Sequence, residues 1–449
     1  MQRKEIAGMG TSKVVTGAII ILLALGATVF YLFYTGRFGG GSKIRITDPT
    51  RVGYEWNHLA ADNNIVSDYL FSRSKKLIVA KGGNGVLAAT SYTIPGRLVT
   101  QEEENSGIYS LSDQALLLKC YVRAGDRGSA VALKETVIRD FKLENGSYRS
   151  FVYSGEKENE DVVTTAASLD WLDAMMEYYV TYGNDNDYNE IKGLTEVLFD
   201  SEGRIKTEPI SVAAYVESLY VSLDDTSSIK EGDEGSMEQI YGTLTGDYDS
   251  AEVDDKTVLE DVSGVLLSNI NLRLIRDLEN NGLIAAGAYD RALKAVKDGF
   301  TGEGYNFYAY STAGDMDCGE YVYSGTNIGS FDLAQNIKTM RNLAEVGELD
   351  GESFATFKEM IFNFGKIYSA YTIMTGNYSG GEAYSSYTDG MMIAYYMGDK
   401  DIYEKLSDTL GKRVATKSTS PALYMIFREE NERYVFYARE NFSTRLVTS

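Results

Sequence analysis

Six serines, each followed by a short apolar run with helical spacing, recur along this 449-residue chain at nearly regular intervals. They are separated by 58, 43, 57, 62 and 56 residues and stand at Ser110, Ser168, Ser211, Ser268, Ser330 and Ser386. Each separation is the length of two helices with their connections, so the repeated unit is predicted to be a helical hairpin. Six such hairpins predict an all-α ring, an (α/α)6 toroid, with a cleft at one end.

A second helical run follows the first in most repeats. The turns between the two runs combine glycine with Asp or Asn, as at 124–129, 182–188 and 397–403, which suits the end of one helix and the start of the next. The second runs are apolar on one stripe and charged on the other, so they are predicted to be outer helices. In the third repeat an acidic insert at about 224–261 replaces or distorts this helix, and it is predicted to be a solvated loop.

The composition excludes several classes of function. With 65 acidic and 43 basic residues the net charge is -22, which disfavours nucleic acid as a partner. The single histidine, His58, rules out a multi-histidine zinc site, and no phosphate-binding glycine loop follows a strand. Cys120 lies in an apolar run and is predicted to be a buried free thiol, although a disulfide with Cys318 is the alternative. We expect neither a metal nor a cofactor.

The amino-terminal region predicts a membrane anchor. Residues 14–34 are uncharged and mostly apolar, and a helix of this length crosses a hydrocarbon layer about 30 Å thick. Basic residues precede the segment and no convincing cleavage site follows it, which indicates an uncleaved signal anchor. We therefore expect residues 1–13 in the cytoplasm, a glycine-rich stalk over 35–43, and a body over 44–449 on the extracytoplasmic side of the cell membrane.

Four of the six repeats carry an aspartate at the third or fourth position counted from the serine: Asp113, Asp170, Asp332 and Asp389. A serine cap followed by an early carboxylate satisfies free helix amides and the helix dipole, so capping alone would explain these residues. In a ring of parallel inner helices the same aspartates would also meet at one rim. One protonated acid and one carboxylate placed there could hydrolyse a glycosidic bond. The two interpretations are compatible.

Aromatic residues are plentiful near the same predicted rim. The chain has 34 tyrosines, and the segments at 302–325 and 375–386 are crowded with them. Aromatic faces stack on sugar rings, and phenol hydroxyls form hydrogen bonds with sugar hydroxyls. The candidate sugar contacts are Trp171, Tyr305, Tyr308, Tyr310, Tyr384 and Tyr387. For any one of them a packing role remains the alternative.

Six hairpins with carboxylates at the inner rim resemble the (α/α)6 glycosidases, and most of all the family-8 glycoside hydrolases, inverting endo-acting enzymes on β-glucans, xylan, chitosan and related polysaccharides. The resemblance covers most of 110–428. That family takes its general acid from a Ser-Glu-Gly-Gln segment, and residues 112–114 here are Ser-Asp-Gln. A substrate-binding aspartate of the family lies in an Ala-Ser/Thr-Asp-x-Asp segment, to which Ala-Ser-Leu-Asp at 167–170 is similar. The resemblance thus implies Asp113 as acid and Asp170 as a substrate contact.

The fourth repeat departs from the family pattern. A Tyr-Asp-Ala-x-Arg segment carries the family's general base, whereas residues 269–273 here are Asn-Ile-Asn-Leu-Arg. Arg273 is kept as an implied substrate contact, but an asparagine cannot accept a proton from water. Either Asp332 or Asp389 then acts as the base, or the chain binds a glycan without cutting it.

These observations predict a membrane-anchored glycoside hydrolase that cleaves an exopolysaccharide or cell-wall glycan. The alternative is an inactive polysaccharide-binding accessory subunit of a synthesis or export system, in complex with a polysaccharide synthase. A protein-binding solenoid is a third possibility, and it would require an open superhelix rather than a closed ring.

Overall fold

The computed structural model describes residues 43–46, 85–95, 104–154, 161–213, 259–302, 304–326, 329–373, 375–415, 427–430, 433–439, 442–443 and 446. The predicted membrane anchor, the stalk up to residue 42 and most of the acidic insert lie outside these residues. Among the described helices, none combines the length and apolarity that crossing a membrane requires. The anchor at 14–34 therefore stays a prediction.

The described residues contain ten α-helices, which follow one another as five pairs. The pairs are α1 Leu111–Arg123 with α2 Arg127–Phe141, α3 Thr165–Tyr182 with α4 Asp185–Leu198, α5 Leu272–Asn280 with α6 Ala288–Asp298, α7 Leu333–Val346 with α8 Gly351–Phe364, and α9 Tyr387–Tyr396 with α10 Lys400–Ala415. Short turns join the two members of each pair. Five of the six predicted hairpins are therefore present where the apolar periodicity placed them.

The first helix of each pair belongs to an inner set. Helix α1 packs against α3, α5 against α7, and α7 against α9, so first helices contact one another across successive hairpins. The second helices bury only one stripe, as in α4, where Ile191, Leu194 and Leu198 are buried at helical spacing. This arrangement agrees with the predicted inner and outer roles.

The third repeat does not begin as predicted. Ser211 lies in strand β5 (Glu208–Ala213), which pairs antiparallel with β6 (Leu259–Gly264), and its hydroxyl donates a hydrogen bond of 2.6 Å to Asp261. The β-branched Ile210 and Val212 on either side of it are both buried, a spacing of two that favours a strand over a helix. The end of the predicted acidic insert is thus strand, and residues 214–258 lie outside the described part.

The predicted serine caps are also wrong in detail. Ser110 and Ser386 occupy N-cap positions, but neither side chain makes a capping hydrogen bond. Ser168 lies inside α3, Ser268 in a 3-10 turn and Ser330 in a strand. The side chains that do cap inner helices are Thr164, Asn271 and Asp332, which accept hydrogen bonds from the amides of Ala167, Leu274 and Gln335. These five serines therefore lie near helix starts, but other side chains make the capping hydrogen bonds.

Short strands lead into two inner helices. Strand β3 (Ile108–Ser110) precedes α1 and pairs with β4 (Phe151–Tyr153). Strand β9 (Ser330–Asp332) precedes α7 and lies beside β10 (Tyr368–Thr372), which pairs with β11 (Asn377–Glu382). The remaining strands form a sheet in the order β12 Phe427–Glu430, β13 Arg433–Tyr437, β1 Ser91–Pro95, β2 Glu104–Asn105, and a small pair, β7 Ser311–Thr312 with β8 Tyr321–Val322. Strands β3 and β9 end at the rim where the inner helices start.

Residues 43–46 lie at the opposite end of the inner helices. The side chain of Ile44 is buried, and the amide of Lys43 donates a hydrogen bond of 3.3 Å to the hydroxyl of Tyr179, in the last turn of α3. The amide of Arg45 donates to the side chain of Asn281, just after α5, at 2.7 Å. The chain therefore enters the body at the end away from the predicted active rim.

Both cysteines are free. Cys120 is buried in α1, where its thiol donates to the carbonyl of Phe442 at 3.7 Å, and Cys318 is exposed. The prediction of a buried free thiol at Cys120 is confirmed.

Candidate active site

Four charged side chains from four inner helices meet near the amino-terminal rim. Asp113 is the third residue of α1, Asp170 the sixth of α3, Lys338 the sixth of α7 and Asp389 the third of α9. The charge of Asp170 acts on Asp113, and the charges of Asp170 and Asp389 both act on Lys338. The structure therefore brings Asp170 and Asp389 near Lys338, and Asp170 also near Asp113.

Asp113 is the most deeply buried of these groups, with 5% of its surface exposed. Burial raises the pKa of its carboxyl to about 7, the positive charge of Arg439 opposes the rise, and the negative charge of Asp170 adds to it. Within the described residues Asp113 makes no hydrogen bond that would hold it ionised. A carboxyl group that keeps its proton near neutral pH is suited to act as a general acid.

Lys338 was not singled out by the sequence analysis. It is partly buried, and burial lowers the pKa of its ammonium, helped by the charges of Arg439 and Arg341 and opposed by those of Asp170 and Asp389. In the described part of the chain it forms neither a hydrogen bond nor an ion pair. A sequence signal exists, because charged residues stand at the same sixth, ninth and thirteenth positions of α7 and α3.

Beneath the rim, residues at the ninth and thirteenth positions of α3 and α7 belong to a buried ion-pair network centred on Arg273 of α5. Its Nη2 lies 2.6 Å from Asp173, its Nε 3.0 Å from Glu345 and its Nη1 3.1 Å from Asp277. Asp173 also pairs with Lys119 of α1, and the two cations hold its pKa well below the ordinary value against the effect of burial. Each nitrogen of Arg273 thus faces a protein carboxylate, so the ion-pair network accounts for a side chain that was predicted to contact substrate.

The network extends along α7 and to one further inner helix, α9. Glu345 of α7 lies 3.6 Å from Arg341 of the same helix and accepts a hydrogen bond of 3.3 Å from the hydroxyl of Tyr396 in α9. The charge of Arg341 also interacts with Asp389 at the rim. Arg341 therefore connects the buried ion-pair network to the candidate site at the rim.

Asp332 lies at the rim in a different role. Its carboxylate caps α7 and accepts the amide of Gln335 at 3.0 Å. Burial raises its pKa, and hydrogen bonds from the amides of Gln335 and Ala334 oppose the rise. Its charge helps to raise the pKa of Tyr310, which places that phenol nearby. Helix capping therefore accounts for Asp332, which is one of the two roles that the sequence predicted for the four aspartates.

The carboxylate of Asp389 is not occupied by helix amides in this way. It is partly exposed in the first turn of α9, and among the described residues it accepts no hydrogen bond. Lys338 and Arg341 are the cations whose charges act with it. Of the two predicted bases, Asp389 is the carboxylate that remains free to bind a water molecule.

The two asparagines of the fourth repeat do not replace the missing general base. The side chain of Asn271 caps α5 by accepting the amide of Leu274 at 3.0 Å. Asn269 is buried in the 3-10 turn, and its Nδ2 has no hydrogen-bond partner in the described part of the chain. Neither side chain is a proton acceptor for water.

Three of the predicted aromatic contacts are core residues. Trp171, Tyr308 and Tyr387 are almost fully buried, Trp171 against Tyr148 with ring centroids 6.2 Å apart. The hydroxyl of Tyr387 donates a hydrogen bond to Glu382. These three rings fill the interior, so packing, the alternative that the sequence left open, accounts for them.

Tyr305, Tyr310 and Tyr384 are at least partly exposed. Tyr305 has 36% of its surface exposed. The ring of Tyr310 packs on Gly325, where an added Cβ would lie 2.8 Å from the ring, so a glycine is needed for this close approach. These three tyrosines keep their place as candidate sugar contacts.

No protein-family model matches the sequence, and no curated protein matches it either. Solved structures resemble the fold. A novel alpha-amylase from Clostridium perfringens matches with a TM-score of 0.60 at 14% identity, over 86% of this chain and 96% of that one. PssZ from Listeria monocytogenes matches with a TM-score of 0.51 at 11% identity, over 90% and 96% of the two chains.

A third solved structure is a mutant reducing-end-xylose releasing exo-oligoxylanase complexed with xylobiose. It matches with a TM-score of 0.50 at 9% identity, over 91% of this chain and 96% of that one. At such identities these likenesses concern the fold alone. The predicted resemblance to (α/α)6 glycosidases is confirmed at that level.

Proposed function

We propose that the protein hydrolyses glycosidic bonds with two rim carboxyl groups, Asp113 as general acid and Asp389 as general base. The observation that carries this proposal is the burial of Asp113, which raises its pKa to about 7 on the rim that also holds a free carboxylate. Two carboxyl groups in different environments are what acid and base roles require. The fold shared with an alpha-amylase and an exo-oligoxylanase supports the same chemistry.

In the proposed reaction Asp113 gives its proton to the oxygen of the leaving sugar. Asp389 takes a proton from a water molecule, whose oxygen attacks the anomeric carbon from the opposite face. This is the inverting route, which needs about 6.5–9.5 Å between the two carboxyl groups to leave room for the water. Asp389 is preferred to Asp332 because helix amides already occupy the Asp332 carboxylate.

Asp170 and Lys338 act on these two groups. The charge of Asp170 favours the protonated form of Asp113, and Asp170 is also placed to bind a sugar hydroxyl at the rim. Lys338 interacts with Asp170 and Asp389 and offsets part of the negative charge that these two carboxylates bring to the rim. We assign Lys338 a positioning role.

The proposed substrate is an exopolysaccharide or cell-wall glycan, cleaved in endo fashion by a protein anchored through residues 14–34. The position of residues 43–46 supports this arrangement, because Ile44 is buried at the end of the ring opposite the rim. A tether attached there would point the rim away from the bilayer. Protease added to intact cells should then digest the body of the full chain, while protection of the body would refute the topology.

The function is tested by measuring new reducing ends from soluble starch, xylan, mixed-linkage β-glucan and chitosan. Wild type should release ends from at least one polymer, and Asp113→Asn should lower that rate about 100-fold or more, since general acid catalysis is worth about that much. Asp401→Asn, an exposed change on outer helix α10, is the matched control and should behave as wild type. An Asp113→Asn variant with the wild-type rate would refute the assignment.

A second function is favoured by the fourth repeat, where Asn269 and Asn271 stand in place of the carboxylate. It is an inactive polysaccharide-binding accessory subunit, working with a polysaccharide synthase. This alternative predicts binding of a polymer without release of ends, equally in wild type and Asp113→Asn. The same assay, combined with a binding measurement, separates the two functions.

A further inference from the structure

A run of aromatic side chains leads from the rim to the outer surface. We call Tyr305, Tyr371, Tyr378, Tyr368 and Phe364 the aromatic strip. The ring centroids of successive members lie 6.3, 5.1, 5.7 and 5.4 Å apart, in the order just given. Each ring therefore contacts the next, and the strip is continuous.

The inner end of the strip is built on the candidate site. Phe331, the residue before Asp332, is buried beneath Tyr305, with ring centroids 5.8 Å apart. Strand pairing sets Tyr371 of β10 directly opposite Phe331 of β9. The strip thus begins at Tyr305, which packs on the residue next to Asp332, and continues across β10 and β11 to the end of outer helix α8.

The outer end is unusually apolar for a surface. Phe364, the last residue of α8, has 49% of its surface exposed, although two tyrosine rings lie within 5.4 Å of its own. Exposed aromatic groups of this kind mark binding surfaces. About half of the Phe364 side chain packs on these two rings, and the other half is open to a ligand.

The polar groups along the strip favour a sugar over a protein partner. Four of its five members are tyrosines, and each of these rings carries a hydroxyl group. Lys366 adds an ammonium 4.2 Å from the ring centroid of Tyr368. An aromatic ring can pack on the apolar face of a pyranose, and a phenol hydroxyl can form a hydrogen bond with its polar edge.

We propose that the aromatic strip binds the polysaccharide chain where it extends beyond the cleft, several sugar units from the point of cleavage. The choice of a glycan as ligand rests on the proposed function. Binding at the strip would hold a long polymer against the rim, whereas an oligosaccharide that fills only the cleft would not reach Phe364.

The test is affinity electrophoresis in native gels that contain starch, xylan, mixed-linkage β-glucan or chitosan, with Asp113→Asn as the background so that no polymer is cleaved. At least one polymer should retard this protein. Adding Phe364→Ala should weaken the apparent affinity about 5- to 10-fold, the scale of one aromatic contact. The matched control is Phe362→Ala, which is 50% exposed on the same helix but lies against Lys405.

Three results would overturn the proposal. They are retardation by none of the four polymers, equal retardation with and without Phe364, and a change in oligomeric state caused by Phe364→Ala alone, which would make the strip a protein interface. Weaker retardation of the Phe364→Ala protein without release of reducing ends by wild type would leave the strip standing and reject hydrolysis. Release of ends by wild type, with retardation unchanged by Phe364→Ala, would support hydrolysis and reject the strip.

Discussion

The Nη2 atom of Arg273 lies 2.6 Å from Oδ1 of Asp173, and this pair ties α5 to α3 beneath the rim. The two helices belong to the fourth and second repeats, with the β5–β6 strand pair between them in sequence. The contact therefore joins parts of the ring that are separated along the chain. Because Asp173 also pairs with Lys119, one carboxylate connects three inner helices.

Removal of Arg273 should destabilise the protein strongly. Arg273→Met leaves Asp173, Glu345 and Asp277 buried without their shared cation, and breaking a buried pair in this way costs about 3–5 kcal/mol. Urea unfolding followed by circular dichroism measures the change. Arg139→Met, which breaks only the surface pair with Asp140, should cost about 1 kcal/mol or less. Equal effects of the two substitutions would contradict the central role of Arg273.

Asp113 should make the stability of the folded state depend on pH. Its pKa is about 7 in the folded protein and about 4 in an unfolded chain, so between these values the folded state binds the extra proton. Wild-type stability should therefore fall, relative to Asp113→Asn, as pH rises from 4 to 8, by roughly 4 kcal/mol in all. Melting temperatures of both proteins across this range measure the difference. A difference that does not change with pH would show that Asp113 titrates normally.

Asp332 and Asp389 should respond differently to the same substitution. Asparagine is as good an N-cap as aspartate, so Asp332→Asn should keep both the cap of α7 and most of the hydrolytic rate. Asp389→Asn should lose about 100-fold or more in kcat, because the base is gone, while the melting temperature changes little. Reducing-end assays on the polymer that wild type cleaves, with thermal melts as the folding control, show which of the two aspartates is the general base. If Asp332→Asn is the inactive variant, the base is Asp332.

Lys338 should react with an acylating reagent at lower pH than an ordinary lysine. Burial lowers its pKa, whereas an ion pair with Asp298 raises that of the exposed Lys294, and only the neutral amine is nucleophilic. Acetylation with acetic anhydride over a pH series, quantified for each lysine by mass spectrometry, should show half-maximal labelling of Lys338 below that of Lys294. The opposite order would mean that the rim carboxylates outweigh the burial of Lys338.

Much of the fold follows from local patterns. Helices α1, α3, α7 and α9 lie where apolar spacing predicts them, because a helix with one buried face repeats its apolar residues every three to four positions. The same local reasoning failed at Ser211, where buried Ile210 and Val212 alternate as in a strand. It also chose the wrong caps, because serine, threonine, asparagine and aspartate all accept helix amides and only the final backbone path selects among them.

The sequence by itself determined that paired helices carry aspartates near their starts and that carboxylate chemistry is available to this chain. Only the tertiary structure decided what each aspartate does. Asp113 is buried and its pKa is raised to about 7, Asp332 caps a helix, and Asp389 accepts no hydrogen bond from the residues that the structure describes. The physical reason is that burial and neighbouring charges set the role of a carboxyl group, and the cations that matter, Lys338 and Arg439, come from distant parts of the chain.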